Sequence, residues 1–291
     1  MHRYRRAIGF EEPMAREAID KLCKSIEDRA DRISLFQRDD GTVFAEVEQE
    51  VGFNMGICLR GEYTDAEQFH REYYFPYLLG TGLSVYDSVT VEQHAEKESY
   101  AGVCEDVGLG MNLIFYLQNA VEYKKGMAGG LCGGERMLSV TFSGLSTEGR
   151  ILLPLSHSKK QVRQPVATDR MDLLNRARSG DEEAIEDLAL EDMDIYTSLT
   201  KRVKNEDLYS IVDSSFMPYG VECDHYSVFG EIRELKLVKN AITGSRIYLM
   251  KVECNDILID ICINQKDLLG EPQVGRRFKG VIWLQGYLTT N

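Results

Sequence analysis

The chain has 291 residues and a net charge of −13, and 43% of its residues are hydrophobic. This length is sufficient for two domains of ordinary size, and the composition excludes a chain that consists mainly of disordered segments. The negative charge argues against nucleic-acid binding by the chain as a whole, because phosphate groups are repelled by a negative surface.

The sequence predicts a cytoplasmic protein. Its basic start, MHRYRRAIG, is not followed by the apolar stretch of a secretory signal, and no apolar run reaches the length of a membrane-spanning helix. The seven cysteines are odd in number and scattered, without a Cys-x-x-Cys pair, which is typical of reduced thiols. Ligands at metal-site spacing are also missing. We therefore expect no membrane contact, no metal site and no cofactor.

Residues 1–160 have the pattern of an α+β domain with an antiparallel sheet. Helical spacing of apolar residues predicts an amphipathic helix between residues 12 and 29, with Cys23 on its buried face. Alternation of apolar and polar residues then predicts half-buried strands, which include residues 53–63. Gly144 and Gly149 favour a hairpin near the end of this domain, between strands at 138–142 and 151–155.

Residues 161–221 are predicted to form a linker followed by an acidic helical segment. The linker is polar and contains Pro165. From Asp181 to Asp207 there are ten acidic and three basic residues, whereas Tyr226 to Asn291 has seven acidic and nine basic residues. The last part of the chain is therefore the one region whose charge would not repel a polyanion.

Residues 222–291 are predicted to form a small OB-like β-barrel. Three alternating strands, a helical turn at 265–269 and then a fourth and fifth strand within 278–288 give the order of such a barrel. The predicted fold class is thus α+β, with an N-terminal α+β domain, a helical connector and a C-terminal barrel.

The glycine-rich segment Gly126–Gly134 has two interpretations. Such loops can cradle phosphate with their backbone amides. However, Glu135 and Arg136 follow the last glycine, where a P-loop requires lysine and a hydroxyl residue. We favour a flexible connection without a bound phosphate.

Cys223 and His225 are the candidate catalytic residues. Alternate residues of a strand share one side, so the two could form a thiolate–imidazole pair. The simpler interpretation is that a strand begins here after a turn, and we favour it because catalytic partners usually lie far apart in sequence.

Arg276, Arg277, Lys279 and Trp283 are candidate nucleic-acid-binding residues. OB-type barrels bind single strands by stacking bases on aromatic rings and pairing phosphates with cations. The alternation of Phe278 with its basic neighbours indicates instead that this ring faces the core. We therefore do not expect nucleic acid to be the main partner.

Four segments carry a resemblance to a known family. They are HRYRRAIGF, GDEEAIEDLALEDMDIY, FMPYGVECDHYSVFGEI and GRRFKGVIWLQG. Across nearly the whole chain the sequence resembles a domain-of-unknown-function family of anaerobic Gram-positive bacteria of the clostridial group. The resemblance implies a bacterial, cytoplasmic, full-length protein and carries no assigned chemistry or site residue.

Three hypotheses for function follow. The leading one is a non-enzymatic cytoplasmic binding or assembly protein, whose partner is a second copy of the chain or another protein. The first alternative is a Cys/His-dependent hydrolase or transferase that uses Cys223 and His225. The second is single-stranded nucleic-acid binding by the barrel.

Overall fold

In the computed structural model the described residues are mostly β-structure with few helices, and they form an antiparallel four-stranded sheet and a closed five-stranded barrel. The structure describes residues 3–11, 13–64, 68–81, 85–87, 89–93, 99–106, 111–128, 138–153, 214–255 and 257–290, together with Arg176, Arg178, Asp181 and Ala184. No helix in these parts of the chain is long and apolar enough to cross a membrane.

The helices of the described residues are short. They are α1 (Arg16–Asp28) and α2 (Ala120–Ala128), with 3₁₀ helices at Arg3–Ile8 and Gln265–Asp267. The strands are β1 (Arg32–Gln37), β2 (Val43–Gly52), β3 (Met55–Tyr63), β4 (Phe69–Leu78), β5 (Val85–Asp87), β6 (Val89–Gln93), β7 (Tyr100–Asp106), β8 (Met111–Leu117), β9 (Leu138–Leu152), β10 (Ser215–Pro218), β11 (His225–Lys239), β12 (Arg246–Cys254), β13 (Ile257–Asn264), β14 (Leu268–Leu269) and β15 (Arg277–Thr290).

The chain divides into two compact units. One contains Met1–Leu152 and Ser214–Asn291, and the other contains Leu153–Asp213. In the second unit, the Asp181 carboxylate pairs with Arg176 at 2.7 Å and accepts a hydrogen bond from the backbone N–H of Ala184. The rest of the predicted linker and acidic helical segment, up to Asp213, lies outside the described residues.

Strands β1 to β4 form an antiparallel sheet in chain order, with α1 against one face. The predicted helix is confirmed, although it begins at Arg16, and Cys23 is fully buried with Ile19 and Ile26 against Val47 of the sheet. The predicted half-buried state of β3 is wrong. Seven consecutive residues of this strand are buried, so both faces of the sheet are covered here.

The second face of the sheet is covered by β8, the start of α2 and the end of β15. The charged side chains Glu46, Glu48 and Arg60, all buried, lie on this face. Glu46 and Arg60 are direct partners in the register of β2 and β3. Strand alternation alone assigns such residues to solvent, and here a second layer of structure covers them.

A closed ring of five strands forms the barrel, in the order β11, β12, β13, β9 and β15. Strand β13 pairs with β9 in parallel, and every other pair in the ring is antiparallel. The sheet continues beyond the ring from β15 through β8, β7 and β6. The isoleucine face of β13, from Ile257 to Ile263, is part of the core.

The fifth barrel strand comes from the first half of the chain. Residues 277–290 form one strand instead of two, and β9 takes the fifth place. The hairpin predicted around Gly144 and Gly149 is also wrong, because β9 is a continuous strand of 15 residues. A Cβ atom at Gly149 would lie 2.5 Å from the ring of Phe278, so close packing requires glycine here.

The N-terminal 3₁₀ helix contacts both the barrel and the four-stranded sheet. Arg6 donates two hydrogen bonds of 2.6 Å to the Asp267 carboxylate, and Asn240 Nδ2 donates to Ile8 O at 2.7 Å. Tyr4 and Ile8 belong to the same buried cluster as α1 and the outer side of the barrel. The barrel and the sheet therefore share a core.

Candidate functional site

The two candidate catalytic residues occupy different environments. Cys223 lies in the exposed turn before β11, whereas His225 is the first residue of β11 and is buried. Burial, followed by the charge of Asp224, raises the pKa of the Cys223 thiol. A raised thiol pKa reduces the thiolate fraction at neutral pH, which is the opposite of activation.

His225 belongs to an aromatic cluster at the end of the barrel. Its ring lies 5.4 Å from that of Tyr4, which in turn lies 5.5 Å from that of Trp283. Asp224 accepts a hydrogen bond of 2.7 Å from Trp283 Nε1, and its other oxygen lies 2.9 Å from His225 Nδ1 without hydrogen-bond geometry. These contacts account for His225 as a packed core residue.

The four candidate nucleic-acid-binding residues are also largely packed. Trp283 is 4% exposed, and the guanidinium of Arg277 lies 4.9 Å from the ring of Phe229. Arg276 donates to the backbone oxygen of Glu271 at 2.8 Å, and Lys279 is half-buried. Base stacking requires an exposed ring face. Nucleic-acid binding and Cys/His catalysis both stay predictions.

A buried charged cluster lies between the four-stranded sheet and α2. Arg60 and Glu46, whose side chains are 0% and 2% exposed, form an ion pair of 2.7 Å. Arg60 also donates to the backbone oxygens of Leu117 and Gln118, both at 2.8 Å. Burial opposes the charge of Arg60, but neighbouring groups, Tyr116 and Glu46 first, raise its pKa well above the usual value. Burial raises the pKa of Glu46, whereas Arg60 keeps its charge.

The start of α2 completes this cluster. Glu46 accepts hydrogen bonds from the backbone N–H groups of Ala120 and Val121, at 3.1 and 3.3 Å. A carboxylate at a helix N-terminus satisfies free amides and is stabilised by the helix dipole. The Glu46–Arg60 pair thus connects the sheet to β8 and α2.

A small polar pocket lies beside the Glu46–Arg60 pair, and we call it the polar pocket. It is lined by Arg32, Glu48, Cys58, Phe75, Tyr77, Leu79, Gln118 and Tyr287, and it encloses about 200 Å³ with its open mouth included. Arg32 donates to Glu48 Oε2 from Nε and Nη2, at 3.1 and 2.5 Å. Glu48, Tyr77 and Tyr287 all have pKa values raised by burial. Perturbed ionisable groups in one cleft mark a candidate functional site.

A second cleft lies on the outer face of the barrel, and we call it the barrel groove. It is lined by Phe53, Asn54, Leu78, Leu79, Thr81, Glu234, Leu235, Lys236, Leu249, Lys251 and Asp260. Lys236 Nζ lies 4.7 Å from the ring centre of Phe53, and Lys251 pairs with Glu234 at 3.0 Å. With two lysines and two carboxylates, the groove carries no net charge.

Neither cleft was predicted from the sequence. The available signal was the alternation of Glu46 and Glu48 along β2 together with Arg60 in β3, which places three charges on one face of the sheet. Alternation does not reveal whether a second layer covers that face. No group of three or more His, Cys, Asp or Glu side chains that could hold a metal ion occurs in the described part of the chain.

A family model matches residues 5–286, and its description reads "Domain of unknown function, E. rectale Gene description (DUF3881)". The chain belongs to the DUF3881 family. This finding confirms the resemblance to a clostridial family of unknown function. Neither the curated proteins nor the solved structures provide a match to the chain. The DUF3881 match includes β1 to β14 and most of β15, so it spans the barrel groove and all of the polar pocket except Tyr287.

Proposed function

We propose that this DUF3881 protein is a non-enzymatic cytoplasmic assembly protein, and that its barrel is of the OB type and docks a second copy of the chain. The observation that carries the proposal is the barrel groove, which lies on the outer face of β11, β12 and β13. OB-type barrels bind their ligands on the face of their second and third strands. In the order of the ring, β12 and β13 have these positions.

The ring order supports the OB assignment. An antiparallel run of three strands, β11 to β13, is followed by a short 3₁₀ helix and then by β15. Strand β9, parallel to β13, fills the remaining place between β13 and β15. The proposed barrel is thus an OB-type ring in which one strand is contributed by an earlier part of the chain.

The packing of the barrel supports a role without catalysis. Its interior is filled by apolar side chains, including Val252, Ile261 and Phe278, which are fully buried. A filled interior directs binding to the outer surface. The thiol of Cys223 carries a raised pKa, which does not favour a nucleophile.

Charge complementarity supports a second copy as the partner. The segment from Asp181 to Asp207 has a net charge of −7, whereas residues 226–291 have a net charge of +2. At the groove, Lys236 is exposed. Opposite charges of this kind steer association and weaken with salt.

The first prediction concerns the charge of the groove. We expect Lys236→Glu to weaken self-association by at least about tenfold, because the substitution reverses the charge that faces the acidic partner segment. Light scattering with size-exclusion chromatography over a range of protein and salt concentrations measures the effect. Wild-type protein is expected to associate at low salt and to dissociate as salt increases.

Lys266→Glu is the matched control, because Lys266 is an exposed lysine outside the groove and the charge change is the same. This variant is expected to associate as the wild type does. A wild-type protein that remains monomeric at high concentration and low salt would reject the proposal, and so would equal effects of the two substitutions.

A further inference from the structure

We propose that the outer edge of β11 binds an extended, acidic segment of another protein as an added strand. This edge is the side of residues 233–239 that faces away from β12, and we call it the β11 edge. Glu234, Leu235 and Lys236 also line the barrel groove, whereas Leu237 and Lys239 do not. The inference concerns a different partner and does not depend on self-association.

The first argument is the pairing of β11. Strand β12 pairs with one side of β11 from Glu231 to Lys239, whereas β15 pairs with the opposite side only as far as Glu231. A bulge at Arg233 follows, and bulges commonly terminate pairing. Beyond the bulge, β11 therefore has a neighbouring strand on one side only.

Backbone hydrogen bonds mark the two ends of the β11 edge. Ile232 N donates to Arg276 O at 2.8 Å, and Ala241 N donates to Val51 O at 2.6 Å. Between these two contacts, no backbone hydrogen bond from the described residues reaches the outer side of β11. Such a row of N–H and C=O groups is a template for another strand, and extended peptides bind to sheet edges in this way.

The charges at the start of the β11 edge are compensated within the protein. Arg233 pairs with Glu231 at 2.6 Å and also with Glu253. Glu234 pairs with Lys251 of β12, at 3.0 Å. A partner strand therefore finds no carboxylate that lacks a cation at this end.

The second argument is the excess of positive charge at the other end. Lys236, Lys239 and Arg246 are exposed and form no ion pair with any described residue, the nearby Glu50 and Asp260 included. Lys239 and Arg246 are direct partners in the register of β11 and β12. Like charges that lie directly opposite each other destabilise a strand pair, so an acidic partner would relieve this repulsion.

These charges determine the kind of strand that fits. Lys236 and Lys239 are three positions apart, so they lie on opposite faces of the sheet, and the partner needs carboxylates on both of its faces. A second β11 edge adds lysines of its own and offers only the carboxylate of Glu234, which Lys251 already engages. The acidic segment of this chain is predicted to be helical, and a helix satisfies its own backbone groups. The fitting occupant is therefore an extended acidic segment of another protein.

Apolar surface beside the lysines favours a partner that also carries apolar residues. Leu237 on the β11 edge and Phe53 of the β2–β3 turn are each 50% exposed. The ring centre of Phe53 lies 4.7 Å from Lys236 Nζ. An added strand with some apolar side chains among its carboxylates would cover this surface and gain from its burial.

The second prediction tests the β11 edge with a capped, fluorescently labelled peptide of the repeat Glu-Glu-Val. Fluorescence anisotropy should detect saturable binding to the wild-type protein, and the affinity should fall as salt increases. Hydrogen exchange measured by mass spectrometry should slow within residues 233–239 when the peptide is bound. We expect Lys239→Glu to weaken binding by at least about fivefold, because the new carboxylate repels the peptide.

The controls separate strand addition from general attraction of opposite charges. The same peptide with every backbone nitrogen methylated keeps its charge but cannot donate hydrogen bonds, and we expect it not to bind. Lys266→Glu makes the same charge change at an exposed lysine outside β11, and it should bind the unmodified peptide as the wild type does. Circular dichroism establishes that both variants are folded.

Three results would overturn the proposal. The first is absence of saturable binding of the Glu-Glu-Val peptide to the wild type at low salt. The second is equal binding of the methylated and unmodified peptides, and the third is an equal effect of Lys239→Glu and Lys266→Glu. Since Lys239 lies outside the barrel groove, Lys239→Glu should leave self-association unchanged in light scattering, which keeps the test of the β11 edge separate from the test of the groove.

Discussion

Arg60 is the charged residue with the most buried contacts in the described chain, and its role follows from them. Its guanidinium pairs with Glu46 and donates to two backbone oxygens and to the hydroxyls of Tyr73 and Tyr116. Each of these groups is removed from water, so each requires the partner that Arg60 supplies. The pair stabilises the native state only as long as both members are present.

The third prediction is that Arg60→Met lowers the free energy of unfolding by about 3–5 kcal/mol, because Glu46 would remain buried without its cation. Urea unfolding followed by circular dichroism measures the change. The double variant Glu46→Gln with Arg60→Met should lose less than the single variant, since it leaves no uncompensated charge. A single variant that is as stable as the wild type would contradict the assigned role.

The fourth prediction concerns Glu48 and pH. Burial raises the pKa of Glu48 in the folded protein, so the folded state binds its proton more tightly than the unfolded state does. The stability that this residue contributes is full below the unfolded pKa, which is about 4.3, and is lost as pH rises through the folded pKa. The stability of the wild type relative to Glu48→Gln should therefore decrease as pH rises towards 7. Urea unfolding at several pH values tests this, and a difference that increases with pH would contradict it.

At the scale of residues, burial can be predicted from the sequence where local pattern decides it. Cys23 was assigned to the core by its helical spacing, and the structure confirms it. Glu46, Glu48 and Arg60 were not identified as a site, because their strands alternate in the same way as strands with one face in water. The sequence does not show that β8 and α2 cover that face, since this contact joins distant parts of the chain.

At the scale of elements, β9 is the strand that a local analysis assigned wrongly. Gly144 and Gly149 favour a turn by composition, but in the structure they allow Ile282 and Phe278 to pack against the strand. Ser146 Oγ donates to Val281 O at 2.9 Å across a sequence separation of 135 residues. Interactions at this separation leave no periodic pattern in a single sequence, so the origin of the fifth barrel strand could not be predicted.

The fifth prediction is that a fragment with residues 214–291 does not fold alone. Without β9, both β13 and β15 lose a neighbouring strand, and the buried side of the ring is opened. Amide NMR dispersion and circular dichroism of the fragment measure folding. Addition of a peptide with residues 138–152 should increase its structure, and a scrambled peptide of the same composition is the control. A folded fragment with dispersed signals would contradict the prediction.

At the scale of the whole molecule, one buried cluster joins elements from both ends of the unit. Tyr4 and Ile8 of the N-terminal 3₁₀ helix pack in the same cluster as Val47 of β2 and Trp283 of β15. The sheet, the N-terminal 3₁₀ helix and the barrel are thus stabilised together. The antiparallel strands and the helical turn after β13 follow from local sequence patterns. The shared core joins distant residues, so no local pattern predicts it.

The place of β15 in the ring has a consequence for biosynthesis. This strand pairs with β8, β9 and β11, all of which leave the ribosome before it does. The barrel can close only after β15 has been made, so the edge of β9 that pairs with β15 stays unpaired while residues 153–276 are synthesised. Non-local strand pairing of this kind is slow and exposes the nascent chain to aggregation. We therefore infer that newly made chains depend on protection of β9 until synthesis has passed β15.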